Sequence, residues 1–385
     1  MGAGKWVIIG SSAGIVLILI VLAWILRRRL FKWNIVARRK DVSSRGVLPE
    51  ESGSMRFSIR EVYVATNNLH DSNLIGKGTA GKVYRGILSN KQQVAVKHIV
   101  DGGHMETFLR EIRNHSRIRH PNLVALLGFC ERRDECFLVY ELCPHGNLSE
   151  WLFGKDKALS WIQRIQIAVD CARGLWFLHT YPEGCIVHRD IKVDLPPFSP
   201  TYMSSIIKPT RLNFSVLQPT NILLGANFEG KLSDFGLSKA IDLDKSHASS
   251  EVRGTFGYVD PEYESNRQVN SSGDVYSFGI VLLQIISGKR VINMNMQAPM
   301  PLNKMAKSLT KSGSIVEFVD RKLEGEYSSE AFDSVLNLGL SCTAAKQQRP
   351  SMAEVVLTLE EALQVSKIAK ASTPQATPER PPYMR

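Results

Sequence analysis

Residues 74–100 read LIGKGTAGKVYRGILSNKQQVAVKHIV and place a glycine-rich segment between two apolar stretches. Gly76, Gly78 and Gly81 have the spacing G-x-G-x-x-G, and Val83 follows two residues after the last of them. Because glycine has no Cβ, such a turn lets the backbone approach phosphate groups closely. The flanking stretches are rich in β-branched residues, which predicts two strands joined by the glycine turn, with a further strand after them.

The glycine spacing alone has two interpretations, because a dinucleotide-binding turn carries similar glycines. A dinucleotide fold requires a helix directly after the turn, whereas KVYRGIL and then QQVAVKHIV have the composition of strands. Two successive strands after the glycine turn favour a hairpin that covers the phosphates of a nucleotide. Lys97, at the end of VAVK, is then the candidate amine for the phosphates, and Glu111 in the helical stretch that follows is its candidate ion-pair partner.

A second group of motifs lies in the C-terminal half. The sequence IVHRDIK supplies Asp190 and Lys192, and KLSDFG supplies Asp234. In phosphoryl transfer one carboxylate accepts the proton of a hydroxyl group, and another holds Mg²⁺, a hard cation that selects oxygen ligands. Each triplet could arise by chance, but the order and spacing of all of them indicate a single site.

With both groups present in this order, the sequence resembles protein kinases. Three segments, at 57–86, 120–130 (HPNLVALLGFC) and 137–152 (FLVYELCPHGNLSEWL), further resemble plant receptor-like Ser/Thr kinases of the Pelle-related group. The resemblance implies an α+β fold of two lobes. The N-lobe would be rich in strands and occupy residues 57–140, and the C-lobe would be mostly helical and occupy residues 141–366.

The resemblance also implies roles for individual residues. The implied catalytic residues are Lys97, Glu111, Asp190, Lys192 and Asn221. The implied ligands of Mg²⁺, with Mn²⁺ as an alternative ion, are Asn221 and Asp234. Adenine would lie behind the bulky Tyr140 and against a hinge, and the residues implied in ATP binding are Ile75, Gly76, Gly78, Gly81, Val83, Ala95, Lys97, Glu141, Leu142 and Leu223.

Further implied roles concern specificity, packing and regulation. Lysine two residues after Asp190 implies serine or threonine rather than tyrosine as the acceptor. Asp274 would anchor the C-lobe, and Arg349 would pair with Glu262. Phosphosites are implied at serines and a threonine of the loop after Asp234, and Arg189 would engage the phosphate; solvated loop residues are the alternative. The candidate phosphosites are Ser246, Ser249, Ser250 and Thr255.

The catalytic loop is interrupted. The related kinases have H-R-D-x-K-P-x-N, with asparagine five residues after aspartate. Removing residues 193–218, a segment of 26 residues, restores HRDIKPTNILL. Valine codons begin with GT and one glutamine codon is CAG, so Val193 and Gln218 fit the ends of a retained intron, which is our hypothesis. A genuine inserted loop is the alternative.

The interruption has different expected effects on folding and on chemistry. Closing a loop of this size costs about 3 kcal/mol, which the fold tolerates if the segment bulges outward. A displacement of Asn221 by about 1 Å would cost on the order of a hundredfold in rate. We therefore expect the 385-residue form to be a weak or inactive enzyme, or a kinase-shaped scaffold, and the uninterrupted form to be active.

The N-terminal segment predicts a membrane anchor. Residues 6–26, WVIIGSSAGIVLILIVLAWIL, carry no charge and are long enough to span a bilayer as a helix. Three arginines follow in place of the small-residue cleavage site of a signal peptide. The basic side predicts a single-pass plasma membrane protein with the kinase in the cytoplasm and only residues 1–5 outside. Without an ectodomain, a receptor or co-receptor partner is expected to supply the signal.

The charge distribution argues against a nucleic-acid partner. The net charge is +11, but between Arg27 and Arg45 eight residues are basic and one is acidic. The excess therefore belongs to a juxtamembrane segment and linker, 27–56, that is expected to contact anionic lipid headgroups. Six cysteines without metal-ligand spacing indicate free thiols in a reducing compartment. The tail, 367–385, is expected to be disordered.

Overall fold

The computed structural model describes residues 55–372 except 79–80, 101–104, 116–117, 133–134, 193–220, 242–243, 256 and 294–299. The predicted membrane span 6–26 and the 193–218 insertion lie outside the described residues. Among the helices of the described part, none combines the length and the apolar character needed to cross a bilayer.

The described N-terminal residues form a six-stranded sheet with helices packed against it. Along the sheet the strand order is β1-β5-β6-β4-β3-β2. The strands are β1 (Met55–Arg56), β2 (Leu74–Gly78), β3 (Gly81–Ile87), β4 (Gln93–Val100), β5 (Leu126–Arg132) and β6 (Glu135–Glu141), and the helices are α1 (Ile59–Ala65) and α2 (Met105–His115).

The side-chain alternation of β4 gives this sheet two different faces. Val94 and Val96 are buried in an apolar cluster with Val62 of α1. Successive side chains of a strand point to opposite faces, so Ala95 and Lys97 point away from that cluster. The hairpin predicted around the glycines is confirmed, because β2 pairs antiparallel with β3 and β3 with β4. This arrangement puts Lys97 on the face opposite α1.

The sheet includes two residues that precede the predicted boundary at 57. Strand β1 pairs in parallel with β5, with Met55 opposite Gly128. A Cβ at Gly128 would lie 2.0 Å from the carbonyl oxygen of Met55, so the close approach of the two backbones requires glycine. A strand of two residues is too short to show side-chain periodicity, so β1 could not be predicted from the sequence.

The C-terminal lobe is mainly helical, as expected. Its core helix is buried along its whole length from Asp274 to Ser287, and its sequence is apolar on all sides. The helices are α3 (Leu148–Phe153), α4 (Trp161–His179), α5 (Pro261–Asn266), α6 (Ser271–Ser287), α7 (Leu302–Ser312), α8 (Ser329–Cys342) and α9 (Met352–Ser372).

Short antiparallel strand pairs hold the loops of this lobe. They are β7 (Cys185–Val187) with β10 (Lys239–Ile241), β8 (Ile222–Leu224) with β9 (Gly230–Leu232), β11 (Ala248–Ser249) with β12 (Gln268–Val269), and β13 (Ile292–Asn293) with β14 (Met300–Pro301). The first two pairs flank the segments that carry the predicted catalytic and metal-binding residues.

One expectation about the C-lobe is wrong in detail, and another is incomplete. The tail predicted to be disordered from 367 is helical to Ser372, because α9 continues through residues with good helix propensity; residues 373–385 lie outside the described residues. The main partner of Arg349 is Asp260, which it binds through two nitrogens at 2.6 and 2.8 Å. The predicted pair of Arg349 with Glu262 is also present, at the longer distance of 3.7 Å, and Glu262 in addition accepts the amide of Lys346.

Candidate active site

The predicted pair of Lys97 and Glu111 is confirmed as a contact. Strand β4 and helix α2 bring Lys97 Nζ to 2.7 Å from Glu111 Oε1, and the carboxylate of Glu111 is fully buried. The hydroxyl of Tyr140 also donates to Glu111. An ion pair in this position directs an amine towards phosphates, and Tyr140 adds a hydrogen bond that we did not predict from the sequence.

The charges around Lys97 stabilise its ammonium form. Burial alone would lower the pKa of Lys97, but the carboxylates of Asp234 and Glu111 outweigh that effect and raise it above its ordinary value. Partial burial opposes the charge of Asp234, yet Lys97 and Lys192 hold the pKa of this carboxyl below its usual range. At neutral pH the site therefore presents a charged amine beside a charged carboxylate.

Asp234 lies at the start of a short turn that faces Lys97. Its carboxylate is 3.7 Å from Lys97 Nζ, and its side chain is 37% exposed. The backbone of Asp234 has a φ of 64°, in the left-handed region, which costs a non-glycine residue roughly 1–2 kcal/mol. Its own Oδ1 accepts the amide of Gly236 at 3.3 Å and helps to hold this turn.

Asp274 of α6, expected to anchor the C-lobe, is bonded to the loop that carries Asp190. The two carboxylate oxygens of Asp274 accept the backbone amides of His188 at 2.7 Å and Arg189 at 2.8 Å. His179 contacts the same carboxylate at 3.0 Å. Asp274 is almost fully buried, so these bonds fix the backbone just before Asp190.

Asp190 lies among the donors that a catalytic base needs for orientation. Its Oδ2 accepts from Lys192 Nζ at 2.9 Å and from Asn221 Nδ2 at 2.8 Å. Its Oδ1 accepts from the hydroxyl of Thr255 at 3.0 Å. A carboxylate can accept about four hydrogen bonds, so Asp190 retains capacity for the hydroxyl group of a substrate.

Asn221 reaches Asp190 although the predicted insertion separates them. Besides the side-chain contact, Asn221 Nδ2 donates to the carbonyl oxygen of Asp190 at 2.6 Å. The backbone of Asn221 donates to Lys192 at 3.3 Å and accepts from Ser233 at 2.9 Å, and the β8–β9 pair starts at the next residue. The ends of the interruption are thus held together from outside it.

The oxygen donors of Asp234 and Asn221 are of the kind that bind Mg²⁺ together with the phosphates of a nucleotide. Asp234 offers a carboxylate, and Asn221 offers its amide oxygen, since both of its side-chain bonds to Asp190 use the nitrogen. In the described ranges, no three His, Cys, Asp or Glu side chains converge as a complete metal site. Mg²⁺ is commonly held by one or two protein ligands together with phosphate oxygens and water, so the residues present fit this ion.

Val83 and Ala95, two of the predicted nucleotide-binding residues, lie on the sheet face of Lys97. Val83 is the cross-strand partner of Lys97, and Ala95 is two residues away on the same strand. Gly81 has a φ of 139°, and a Cβ there would lie 2.0 Å from the carbonyl oxygen of His98, so only glycine fits. Ile75 and Gly76 lie on β2, with Ile75 about half exposed. Gly78 ends β2 directly before the undescribed tip.

The predicted adenine-binding hinge, Glu141 and Leu142, lies at the end of β6. Glu141 donates its amide to the carbonyl oxygen of Ala125 at 3.0 Å and pairs with Val94 of β4. Leu142 follows it, and Leu223 lies on β8, where it bridges to Asn147 just beyond the hinge. The carboxylate of Glu141 also pairs with Lys231 at 3.0 Å, a contact between hinge and C-lobe that was not predicted.

Arg189 contacts one of the four candidate phosphosites. Its Nη1 lies 2.9 Å from the hydroxyl oxygen of Ser250, and its Nε donates to the carbonyl oxygen of Leu237 at 2.6 Å. Lys239 donates to the carbonyl oxygen of the neighbouring Ser249 at 2.7 Å. Thr255 instead faces Asp190, and Ser246 contacts His247.

Comparison with protein families gives two matches, one on each side of the interruption. Residues 69–194 match the model described as protein tyrosine and serine/threonine kinase, and residues 212–358 match the model described as protein kinase domain. The gap between the matches, at 195–211, lies inside the predicted insertion 193–218.

Curated relatives from Arabidopsis thaliana align across most of the chain. A probable receptor-like protein kinase is 38% identical over 318 residues, covering 80% of this chain and 34% of the relative. The L-type lectin-domain containing receptor kinase V.2 is 37% identical over 80% of this chain and 44% of its own length. The receptor-like protein kinase ANXUR1 is 35% identical over 82% of this chain and 35% of its own length. This chain thus spans less than half the length of these relatives.

Proposed function

We propose, for a chain that carries a protein kinase domain, that it transfers the γ-phosphate of ATP to serine and threonine hydroxyl groups of proteins in a signalling pathway. The observation that carries this proposal is the convergence of Asp190, Asn221 and Lys192 within hydrogen-bond distance across the interrupted loop. Lys97 and Asp234 lie 3.7 Å apart and supply the opposing amine and carboxylate.

Each residue has a part in the proposed reaction. Asp190 accepts the proton of the substrate hydroxyl. At the same time the oxygen of that hydroxyl bonds to the γ-phosphorus, and the bond from the γ-phosphorus to the leaving ADP oxygen breaks. Lys192, bonded to Asp190, places positive charge near the transferring group. Lys97 holds the phosphates, and Asp234 and Asn221 would hold Mg²⁺, which neutralises phosphate charge when it is bound.

Serine and threonine specificity is supported by the surroundings of Asp190. Lys192 and the hydroxyl of Thr255 both bond its carboxylate, which keeps the base close to the backbone of the loop. By the resemblance to protein kinases, a lysine two residues after the proposed catalytic aspartate also supports serine or threonine as the acceptor. The relatives carry receptor-like protein kinase names, which supports proteins as the substrate class.

Membrane anchoring is part of the proposal and rests on the sequence. An uncharged span at 6–26 followed by basic residues supports a single-pass plasma membrane protein with its kinase domain in the cytoplasm. The segment 27–56 would then contact anionic lipid, and a membrane receptor or co-receptor would supply the signal. The predicted test is loss of membrane association, with unchanged DNA affinity, when residues 1–45 are removed.

Regulation by phosphorylation is proposed at Ser250. Of the four candidate residues, Ser250 has its hydroxyl at the guanidinium of Arg189, next to the catalytic Asp190. A phosphate here would gain charge-assisted bonds and order the segment between Asp234 and Glu262.

A second candidate function is a kinase-shaped scaffold that binds nucleotide without efficient transfer. It is favoured by the position of the insertion, which starts directly after Lys192, beside Asp190 and Thr255. Asn221 lies within hydrogen-bond distance of Asp190, so we place the expected impairment at the peptide groove rather than at the proposed metal ligands. We propose that the 385-residue form transfers phosphate more slowly than the uninterrupted form.

The test measures radiolabelled phosphate incorporation into a mixture of phosphoacceptor proteins. It compares the full chain in lipid nanodiscs with the same chain lacking 193–218, each with an Asp190→Asn control. We expect label on serine and threonine from the shortened form, less from the full chain, and none from either control. Nucleotide binding without transfer by both forms would favour the scaffold, and equal transfer would contradict an inhibitory insertion.

A further inference from the structure

Arg110 and Glu111 are neighbours on α2, but they contact two different parts of the site. Glu111 pairs with Lys97 in the N-lobe. Arg110 donates from Nη1 to the carbonyl oxygen of Gly236 at 2.9 Å, in a partly buried contact. One turn of one helix therefore reaches both the phosphate-binding amine and the turn that carries Asp234.

Gly236 is bonded through both of its backbone polar groups. Its amide donates to Asp234 Oδ1, and its carbonyl oxygen accepts from Arg110. Asp234 has a φ of 64°, which L-residues adopt only where the surroundings hold them. The bond from Arg110 supplies such a constraint from outside the turn.

We infer that Arg110 is a positioning residue for the metal ligand Asp234, which it holds in place by fixing the peptide of Gly236. The inference rests on the proposed function, since Asp234 acts as a metal ligand only in that function. When α2 is in place, Glu111 orients Lys97 and Arg110 orients Asp234, so both are set by the same helix.

The surroundings of Arg110 require a control for charge. Arg189 and Lys239 lie close enough for repulsion: burial lowers the pKa of each, and the charge of Arg110 lowers both further. Removing Arg110 therefore changes the local charge as well as the hydrogen bond. Arg110→Lys keeps the charge and a donor, Arg110→Gln keeps a neutral donor, and Arg110→Met removes both. Arg113→Met is the matched control, because Arg113 is exposed and bonds Leu109 of its own helix.

The experiment titrates a fluorescent ATP analogue into the full chain at increasing Mg²⁺ concentration. We expect Mg²⁺ to strengthen binding in the wild type, and Arg110→Met to need about tenfold more Mg²⁺ for the same gain, as is usual when the partner of a metal ligand is lost. Affinity without metal should stay within about twofold of the wild type, because the adenine and Lys97 contacts remain. Arg110→Lys should restore most of the Mg²⁺ response, and Arg113→Met should match the wild type.

The inference is overturned if Arg110→Met keeps the wild-type Mg²⁺ requirement, if Arg113→Met shows the same loss, or if metal-free affinity falls to the same extent. Thermal melting is measured for each variant, and Arg110→Gln carries the comparison if the methionine variant does not fold. A wild-type chain that binds nucleotide without any Mg²⁺ response would overturn the proposed function, and with it this inference. A loss confined to the Arg110 variants supports both.

Discussion

The two halves of the site are built from very different lengths of chain. In the N-lobe, Lys97 and Glu111 are 14 residues apart and meet at 2.7 Å. In the C-lobe, Asp190 and Asn221 are 31 residues apart, with the predicted insertion between them, and meet at 2.8 Å. The interrupted half is as closely bonded as the continuous one.

The difference shows that anchors outside the loop set the position of these residues. Lys97 is placed by the register of β4 and by α2. Asp190 and Asn221 are placed by Asp274, which holds the backbone before Asp190, and by the β8–β9 pair, which begins just after Asn221. Extra chain between two anchored points costs closure entropy, which grows slowly with length.

The largest expected effect comes from removing the base of the interrupted half. Asp190→Asn should lower kcat by about 10²–10⁴-fold, because general base catalysis contributes that much. MgATP binding, which depends on Lys97, should change little. Steady-state kinetics with a nucleotide titration check both, and Asp156→Asn, an exposed acid of the same lobe, is the control. Equal losses of binding and turnover would argue against a base role.

Next in size is the removal of the anchor. Asp274→Ala leaves the amides of His188 and Arg189 without their buried acceptor, which should lower the free energy of unfolding by about 3–5 kcal/mol. Chemical denaturation measures this change. Asp333→Ala, at an exposed position on α8, should stay within about 0.5 kcal/mol. Similar stability of the two variants would show that the loop is held by something else.

A smaller effect is expected at the far end of the interruption. Asn221→Ala removes a proposed metal ligand and the bonds to Asp190, and should weaken the Mg²⁺ response by about 10–100-fold. This loss of Mg²⁺ response should be the same in chains with and without residues 193–218 if Asp274 and the β8–β9 pair, which lie outside the insertion, position Asn221. Asn227→Ala, an exposed asparagine beyond β8, serves as control. A loss seen only in the shortened chain would mean that Asn221 is not in place in the full one.

The packing of the N-lobe half of the site, which has no insertion, can be tested by substitutions in α1. Val62→Ala removes a buried side chain from the cluster behind β4 and should cost about 2 kcal/mol of unfolding free energy. Val64→Ala, on the same helix but 72% exposed, should cost less than about 0.5 kcal/mol. Thermal or chemical unfolding compares the two. Equal effects would contradict the packing of α1 on the sheet.

The smallest expected signal concerns the hinge between the halves. Burial raises the pKa of the Cys143 thiol to about 12, so at pH 8 only about one thiol in ten thousand is ionised. Iodoacetamide should therefore modify Cys143 in the unfolded protein but not in the native one. Mass spectrometry of the labelled peptide checks this. Rapid native labelling would show that the hinge opens.

The sequence was sufficient to predict those parts of the site where the function requires particular residue types at short spacing. The glycine turn, Lys97 with Glu111, and the roles of Asp190 and Asp274 could each be proposed, because each lies in a local pattern that the chemistry or the packing requires. Asn221 could be assigned only by removing 26 residues from the pattern. Its contact with Asp190 is confirmed by the structure.

Other contacts could not be predicted, because sequence does not give distances. Asp260 and Glu262 are both acids within reach of Arg349, and only geometry shows that the two-nitrogen bond goes to Asp260. Arg110 and Lys231 look like ordinary surface cations in the sequence, yet both contact the site. The strand at 55–56 is too short for any periodicity, and its pairing depends on the distant Gly128.

The most direct test of the account is MgATP affinity measured for the full 385-residue chain and for the chain lacking 193–218. If outside anchors place Asn221 and Asp234, the two dissociation constants should agree within about threefold, and Lys97→Met should weaken both alike. Binding at least about tenfold weaker in the full chain, and only when Mg²⁺ is present, would contradict the account, because it would show displaced metal ligands.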